Sequence, residues 1–447
     1  MTSAVHPTIT KNGTKFTLLL NYYYIRMKNI LFIGLTLFMA SCTCTKTDRC
    51  DDSGKPQAFD YQPDFKRLKV NEARLERIDA LLQDYVDQSI LPHALTFVAK
   101  KGQVIHNKAF GWRDVEKQIP LQKDDIFRLY SQTKAINTVA LMTLFEQGKF
   151  QLDDPVSKYI PEMTDQVIIP GGDPVAPKTR KAESPVLIRH LLSHSSGIAG
   201  LPTPVGTPPK QYETLEEYVK ELVAAPLRYD PGTKWNYHPA SDVCAYLVEY
   251  FSGKPLQEYL DEALFEPLGM NETAYYYNDE YRDRFVTCYR ADSTGKIAPV
   301  DIWSGRNPFG EDRQFAQGGT GLNGTIEEYA RFCQMILNGG RFNDQQILGR
   351  RTIEIMSKDQ LKHPGAGEAN FRFGLGFQIY PGESNAWEVI NGFSPMVSSG
   401  ALSWGGMANT DYLIDPKEEM IILLYTNRIP DTYIWEKFLN TVYQTLE

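Results

Sequence analysis

The chain has 447 residues, of which 42% are hydrophobic and 23% are charged. This balance is typical of a globular protein with a sizeable core, and the length suits one large domain or two closely associated ones. The formal net charge of -8, without any run of lysines or arginines, excludes a surface built to bind nucleic acid, because phosphate binding needs a concentrated basic patch.

The first predicted element is an export signal that ends at Cys42. Arg26 and Lys28 precede an apolar run over residues 30–39, which is too short for a typical membrane-spanning helix. The sequence "MASC" resembles a bacterial lipobox, and it predicts a lipidated Cys42 that anchors the exported protein to a membrane, facing the periplasm or the cell surface. An ordinary cleaved signal peptide and an anchor helix are the alternatives. Residues 1–42 are therefore an upstream extension and signal.

A polar stretch over residues 43–60 follows, and it is interpreted as a flexible tether between the lipid and the folded domain. Cys44 and Cys50 lie in this stretch, and either a pair in an oxidising compartment or two unpaired thiols is compatible with their spacing. No pair of CxxC elements occurs among the six cysteines, so the sequence predicts no zinc site.

Residues 61–447 are predicted to form one domain in which strands from both chain ends flank a helical middle. "NEARLERIDALLQDYVDQ" has helical spacing, and "HALTFVAKKGQVIHNKAFGW" is typical of a hairpin. Helical patterns separated by loops fill roughly residues 136–335, after which "ALSWGG", "DYLIDP" and "MIILLYTN" indicate strands before a final helix. The predicted fold is α/β (α+β): an antiparallel sheet built from both chain ends and flanked by helices, with an all-helical lobe and a cleft between them.

The stretch "RLYSQTKAINTVALM" places Ser131 three residues before Lys134, at the start of an apolar helix. Residues three apart lie on one face of a helix, so the amine can approach the hydroxyl and help to activate it as a nucleophile. The alternative is that Ser131 caps the helix while Lys134 is solvated. Ser293 and Lys296 show the same SxxK spacing, but the surrounding "ADSTGKIAPV" indicates a turn that does not hold the two side chains together.

Further stretches decide between these alternatives. Five stretches in order make the chain resemble the serine β-lactamase-related family. They are "FRLYSQTKAINTVALMTLFEQGKFQLDDPVSKYIPE", "LIRHLLSHSSGI", "PGTKWNYHPASDV", "QGGTGLNGTIEEYARFCQMILNGG" and a Trp-Gly-Gly strand. That family contains class C β-lactamases, family VIII carboxylesterases and D-amino-acid peptidases, with a β-lactamase/transpeptidase-like fold. The resemblance covers most of the chain from about Leu75 onward. It implies that Ser131 is the acylated nucleophile and that Lys134 and Tyr237 share the proton transfer.

The family's third motif corresponds here to Trp404-Gly405-Gly406. By resemblance, this strand flanks the substrate, its glycines allow close approach, and the backbone N–H groups of Ser131 and Met407 form the oxyanion hole. Trp404 replaces the usual lysine and is interpreted as a flat apolar wall for an acyl or alkoxy group.

The residues after Tyr237 also depart from the family pattern. His238 adjoins the site and is assigned to substrate binding, and Pro239 replaces an asparagine that holds the amide of a β-lactam side chain. Together with Trp404 in place of a lysine, this change argues against an efficient β-lactamase and favours the esterase branch.

His190 and His194 are four residues apart, but neither an HExxH motif nor an evident third ligand accompanies them, so no metal or organic cofactor is predicted. We expect a monomeric serine hydrolase that acts on small-molecule esters, amides or peptide substrates. A penicillin-binding protein or weak β-lactamase is one alternative, and a catalytically silent surface-binding lipoprotein is another.

Overall fold

The computed structural model describes residues 59–171, 177–201, 210–237, 239–300, 307–309, 315–361, 371–382 and 394–447. The predictions for Cys42, Cys44, Cys50 and His238 therefore fall outside the described residues. None of the helices within the described ranges is both long and apolar enough to span a membrane.

A nine-stranded sheet forms the centre of the fold, and its hydrogen-bonded order is β13-β14-β15-β16-β17-β1-β3-β4, with β2 also paired to β1. Every pairing in this sheet is antiparallel. The strands of the described residues are β1 (His93–Lys100), β2 (Gln103–His106), β3 (Ala109–Asp114), β4 (Ile119–Pro120), β5 (Phe127–Arg128), β6 (Gln166–Ile168), β7 (Thr179–Lys181), β8 (Tyr289–Ala291), β9 (Ile297–Pro299), β10 (Asn323–Gly324), β11 (Arg341–Phe342), β12 (Gln345–Gln346), β13 (Arg372–Phe373), β14 (Gln378–Ile379), β15 (Leu402–Gly406), β16 (Thr410–Asp415), β17 (Met420–Tyr425) and β18 (Arg428–Ile429).

The two chain ends meet in the middle of this sheet, which confirms the prediction. Strand β1 pairs with β17 in a register that places Leu95 opposite Tyr425 and Lys100 opposite Met420. The folded part also includes Phe59, two residues before the predicted domain start at residue 61. Its buried ring lies against Phe97 with the ring centroids 4.8 Å apart, because an aromatic side chain gains more from the core than from a polar tether.

The helices follow the predicted periodicity closely. The α-helices of the described residues are α1 (Phe65–Leu68), α2 (Glu76–Asp87), α3 (Thr133–Glu146), α4 (Ile188–Leu192), α5 (Leu215–Ala224), α6 (Ala240–Ser252), α7 (Leu256–Leu260), α8 (Glu266–Leu268), α9 (Ile326–Leu337), α10 (Arg350–Met356) and α11 (Ile434–Tyr443). Helix α3 is buried over most of its surface, including several of its polar residues. The predicted lobe contains most of these helices.

The lobe is not entirely helical, because short β-ribbons connect its helices. Strands β6 and β7 form one two-stranded ribbon, and β8, β9 and β18 form a three-stranded one. Each of these strands is only two or three residues long, so none has the alternating pattern that predicts a strand from sequence.

The sheet separates two hydrophobic cores. Along β1, Leu95 and Phe97 face the larger core with α3, α6 and α9, whereas Ala94 and Val98 face a smaller core with α2 and α11. Alternate residues of a strand point to opposite faces, so a fully buried β1 reads as a continuous apolar run. The larger core lies on the sheet face that also carries the candidate site, since Trp404 belongs to it.

Candidate active site

Ser131 and Lys134 meet at the start of helix α3. Ser131 lies in a 3₁₀ turn over Tyr130–Gln132 that leads directly into the helix. The Lys134 Nζ donates a hydrogen bond to Ser131 Oγ at 3.1 Å and a second one to the Gly319 carbonyl at 2.5 Å. The amine and the hydroxyl are thus within hydrogen-bond reach, as the spacing of the motif predicts.

The turn that carries Ser131 is fixed by its neighbours. Tyr130 has a positive φ of 47°, a conformation that non-glycine residues adopt only where the surroundings enforce it. Gln132 is fully buried, and its side-chain amide donates to the Thr410 carbonyl at 2.9 Å while its amide oxygen accepts from the Tyr425 hydroxyl at 2.6 Å. These bonds attach the turn to β16 and β17, so the nucleophile rests on the rigid sheet.

Tyr237 lies next to this pair. The Lys134 Nζ stands 4.6 Å from the centroid of the Tyr237 ring, and the indole N–H of Trp404 donates to the Tyr237 hydroxyl at 3.2 Å. The two contacts place an amine against the ring and a hydrogen-bond donor at the hydroxyl of the phenol. No hydrogen bond joins the Tyr237 hydroxyl to Ser131 directly among the described residues, so their coupling in this structure runs through Lys134.

Aromatic side chains surround Tyr237. His194 lies 4.9 Å from it and Trp404 5.0 Å, measured between ring centroids, and Phe373 meets Trp404 edge-on at 5.5 Å. Trp404 is only 6% exposed, so it offers little of the flat wall that the sequence suggested. The indole packs against Tyr237 and Phe373 and bonds to the Tyr237 hydroxyl, and the assignment of Trp404 to substrate binding stays a prediction.

The two glycines of the third motif are required by contacts inside the protein. A Cβ at Gly405 would lie 2.0 Å from Asp411 Oδ1, and one at Gly406 would lie 2.1 Å from Thr410 Oγ1 and 2.6 Å from the Leu129 carbonyl. These distances are far below van der Waals contact, so any side chain there displaces β15. The structure gives this internal reason for the two glycines, and their predicted role in close approach of substrate stays a prediction.

Gly406 also brings the end of β15 against the turn before Ser131. The next residue, Met407, is 58% exposed, and its backbone N–H lies directly after Gly406. The assignment of the Ser131 and Met407 N–H groups to an oxyanion hole stays a prediction.

Two residues that were not predicted from the sequence, Asn137 and Asp242, belong to the site. Asn137 and Asp242 are buried polar side chains on α3 and α6, and both bind the loop before α9: Asn137 Nδ2 donates to the Gly318 carbonyl at 3.0 Å, and Asp242 Oδ1 accepts from the Gly319 N–H at 2.9 Å. A polar residue inside an otherwise apolar helix was the available signal.

The second SxxK match is a turn, as predicted. Asp292 accepts hydrogen bonds from the N–H groups of Thr294 and Lys296, and the segment connects β8 to β9. His190 and His194 are held by other contacts: His190 Nδ1 accepts from the Leu187 N–H at 3.2 Å, and His194 packs against Tyr237. No group of three or more histidine, cysteine, aspartate or glutamate side chains suited to a metal occurs within the described ranges.

Comparisons with known proteins identify the family of the chain. A family model described as Beta-lactamase matches residues 78–433. Protein Rv1367c of Mycobacterium tuberculosis is 28% identical over 374 residues, covering 80% of this chain and 91% of its own length. Esterase EstB of Burkholderia gladioli is 27% identical over 379 residues, covering 78% of this chain and 90% of its own.

A solved structure shows the same fold. The structure of EstCE1, described as a hydrolase with promiscuous acyltransferase activity, superimposes with a TM-score of 0.67 at 23% identity, covering 84% of this chain and 98% of that one. The family match spans most of the described residues and includes Ser131, Lys134, Tyr237 and Trp404. On this evidence the chain belongs to the beta-lactamase family.

Proposed function

We propose that the protein is a serine hydrolase that cleaves neutral carboxylic esters through an acyl-enzyme on Ser131. The observation that carries the proposal is the 3.1 Å hydrogen bond between Lys134 Nζ and Ser131 Oγ, with Tyr237 packed against the same amine. A serine hydroxyl becomes nucleophilic only when a neighbouring group accepts its proton, and this arrangement supplies an amine and a phenol for that purpose.

In the acylation step, the Ser131 hydroxyl proton passes to the pair formed by Lys134 and Tyr237 while Oγ forms a bond to the ester carbonyl carbon. The carbonyl oxygen becomes an oxyanion, which the N–H groups of Ser131 and Met407 receive. Collapse of this intermediate breaks the bond to the alkoxy group, and the pair returns the proton to the leaving alcohol. Water then repeats the sequence on the acyl-enzyme and releases the acid.

Two features support a neutral ester rather than a β-lactam. Trp404 occupies the position where the family usually has a cation, and its one donor group is engaged by Tyr237. Pro239 has no side-chain donor for a substrate amide. The name of the relative EstB, an esterase, points in the same direction.

The experiment is an intact-mass measurement on the purified protein after incubation with a p-nitrophenyl ester, a penicillin or a fluorophosphonate. We expect rapid turnover of the ester and a stable fluorophosphonate adduct. A stable penicillin adduct without ester turnover would instead support a penicillin-binding protein. The absence of any adduct or turnover would support a catalytically silent surface-binding protein.

We also propose that the protein is exported and anchored through a lipid on Cys42. The support is the basic and apolar sequence before "MASC" alone. The test is expression of the full chain in a bacterium supplied with radiolabelled palmitate, with Cys44→Ala as the matched control for Cys42→Ala. Label that persists in Cys42→Ala would contradict the proposal.

A further inference from the structure

The segment of residues 317–319 is bound by side chains at three consecutive carbonyls. The Gln317 carbonyl accepts from the Tyr275 hydroxyl at 2.8 Å, the Gly318 carbonyl from Asn137 Nδ2 at 3.0 Å, and the Gly319 carbonyl from Lys134 Nζ at 2.5 Å. Asn137 and Lys134 are three residues apart on α3, so one face of this helix holds two adjacent carbonyls. The segment therefore helps to hold Lys134 in place.

Asp242 holds the same segment from helix α6. It lies in the first turn of α6, it is 4% exposed, and its Oδ1 accepts a hydrogen bond from the Gly319 N–H at 2.9 Å. A Cβ placed on Gly319 would lie 3.5 Å from Asp242 Oδ1 and 3.6 Å from Lys134 Nζ. A buried carboxylate and the lysine amine thus both lie close to one glycine.

We propose that Asp242 is a positioning residue for the proton-transfer pair. It fixes Gly319, whose carbonyl holds the Lys134 ammonium against Ser131, and it places a negative charge beside that glycine. The inference rests on the proposed function, because it assigns Asp242 a task in the same reaction. It also explains why a carboxylate is retained in the interior, where an ionised group is stable only with charged or hydrogen-bonding partners.

The protonated amine has a consequence for the chemistry. A lysine ammonium has donors but no acceptor, and Lys134 directs two of its N–H bonds at Gly319 and Ser131. In that state it can take the Ser131 proton only as it gives one of its own protons to the Tyr237 phenolate, whose oxygen accepts a bond from Trp404. The role of Asp242 therefore favours Tyr237 as the final proton acceptor and Lys134 as the cation that links it to Ser131.

The titratable groups around Asp242 and Lys134 come from several elements. Cys244 is on α6 itself, Tyr275 lies in the loop before β8 with Glu249 acting on it from α6, and Tyr237 and His194 lie beyond Lys134. Burial raises the pKa of both Cys244 and Tyr275, and the charge of Asp242 adds to each rise. These two groups stay neutral in the working pH range, so they do not obscure a change in the charge of Asp242.

The experiment compares two variants. Asp242→Asn keeps an oxygen that can accept the Gly319 N–H but removes the charge, whereas Asp242→Ala removes both. Loss of a nearby negative charge favours the deprotonated forms of the amine and of the phenol. We therefore expect both limbs of the kcat/KM pH profile of Asp242→Asn to move to lower pH by about one unit. For Asp242→Ala we expect kcat to fall a further ten- to hundredfold, roughly the cost of a misplaced catalytic group, with KM little changed.

The matched control is Asp125→Asn. Asp125 is 1% exposed and bonded to Arg113 at 2.8 Å, so its substitution also neutralises a buried carboxylate, but it has no contact with Lys134 or Gly319. We expect this variant to lose thermal stability while both limbs of its pH profile stay in place.

A crystal structure of Asp242→Ala supplies a readout that does not depend on activity, and Asp242→Asn replaces it if the alanine variant fails to fold. We expect Lys134 Nζ to have left the Gly319 carbonyl. The inference would be overturned if the kcat/KM pH profile of Asp242→Asn matched that of the wild type. It would also be overturned if Lys134 Nζ still bonded to the Gly319 carbonyl in the alanine variant. A wild-type protein that neither hydrolyses esters nor takes up the fluorophosphonate refutes the proposed function instead, and the crystal structure still decides the positioning role.

Discussion

At the scale of single residues, the interaction between Trp404 and Tyr237 distinguishes this site from one that carries a lysine in the third motif. An ammonium is a full charge that can grip a substrate carboxylate, whereas the indole N–H is a neutral donor that is already used inside the protein. In this chain the donor of the third motif therefore bonds to the Tyr237 phenol inside the protein. This explains why Trp404 is buried although its strand flanks the site.

Replacing Trp404 with phenylalanine tests this interpretation. The ring packing is largely kept, but the phenolate of Tyr237 loses its hydrogen-bond donor and becomes harder to form. We expect the acidic limb of the kcat/KM pH profile to move to higher pH by about one unit, which corresponds to the roughly 1.5 kcal/mol of a hydrogen bond to a charged group. Steady-state kinetics across pH measure the shift.

Trp235→Phe is the matched control, because its ring stacks on Tyr237 at 6.2 Å while its indole nitrogen has no hydrogen-bond partner within the described residues. Its acidic limb should stay at the wild-type pH. Equal shifts in the two variants would mean that aromatic packing, and not the hydrogen bond, supports Tyr237.

At the scale of elements, the loop before α9 and helix α6 are in contact without space for a side chain. A Cβ on Gly318 would lie 2.1 Å from the Ser241 carbonyl and 2.6 Å from the Ala245 Cβ. We expect Gly318→Ala to move residues 317–319 away from Lys134 and to lower kcat/KM by about ten- to hundredfold, because a displaced catalytic group loses about that much rate. Gly200→Ala is the control, since nothing lies within 4 Å of its added Cβ. Wild-type activity in Gly318→Ala would contradict the tight contact.

Strand β1 contains a second element-scale feature, the buried His93. Its Nδ1 lies 2.8 Å from the Trp112 carbonyl, and burial lowers the pKa of His93 from 6.5 to about 4. Above pH 6.5 the imidazole is neutral in both the folded and the unfolded chain, so it makes no contribution to the pH dependence. Between pH 6.5 and 4 only the unfolded chain takes up the proton, and the free energy of unfolding falls by on the order of 3 kcal/mol.

The phenylalanine ring of His93→Phe can replace the imidazole against Phe127. We expect the free energy of unfolding of this variant to fall less between pH 6.5 and 4. Urea unfolding at several pH values between 4 and 7 measures it. An unchanged difference in the free energy of unfolding between pH 7 and pH 4 would show that His93 is not the group responsible.

At the scale of the whole molecule, one sheet separates the candidate site from the second core. Leu82 is fully buried in the core under α2 and α11, whereas Leu141 is fully buried on α3, the helix that carries Lys134. We expect Leu82→Ala and Leu141→Ala each to lower the free energy of unfolding by about 3 kcal/mol, as large-to-small changes in cores do. Only Leu141→Ala should also lower kcat/KM at 25 °C. An equal loss of activity in Leu82→Ala would mean that a packing change in the second core alters the site across the sheet.

The sequence was sufficient for features that depend on local patterns. Ser131 and Lys134 are three residues apart on one helix, so their contact follows from helical geometry, and the apolar runs of β1 and β17 predict buried strands. Tyr237 and Trp404 required the family resemblance, because 167 residues separate the two partners of their hydrogen bond. Asp242 and Gly319 were missed for the same reason: 77 residues separate them, and no local pattern relates a helical aspartate to a distant glycine.

The most direct test of the account is the site of covalent modification. The wild-type protein, Ser131→Ala and Ser293→Ala would be incubated with a fluorophosphonate, and the modified peptide would be identified by mass spectrometry. Ser293 has the same SxxK spacing but lies in a surface turn, so it controls for the motif without the site. The account predicts one adduct on Ser131 in the wild-type protein and in Ser293→Ala, and none in Ser131→Ala. An adduct that persists in Ser131→Ala, or a wild-type protein that is never modified, would contradict it.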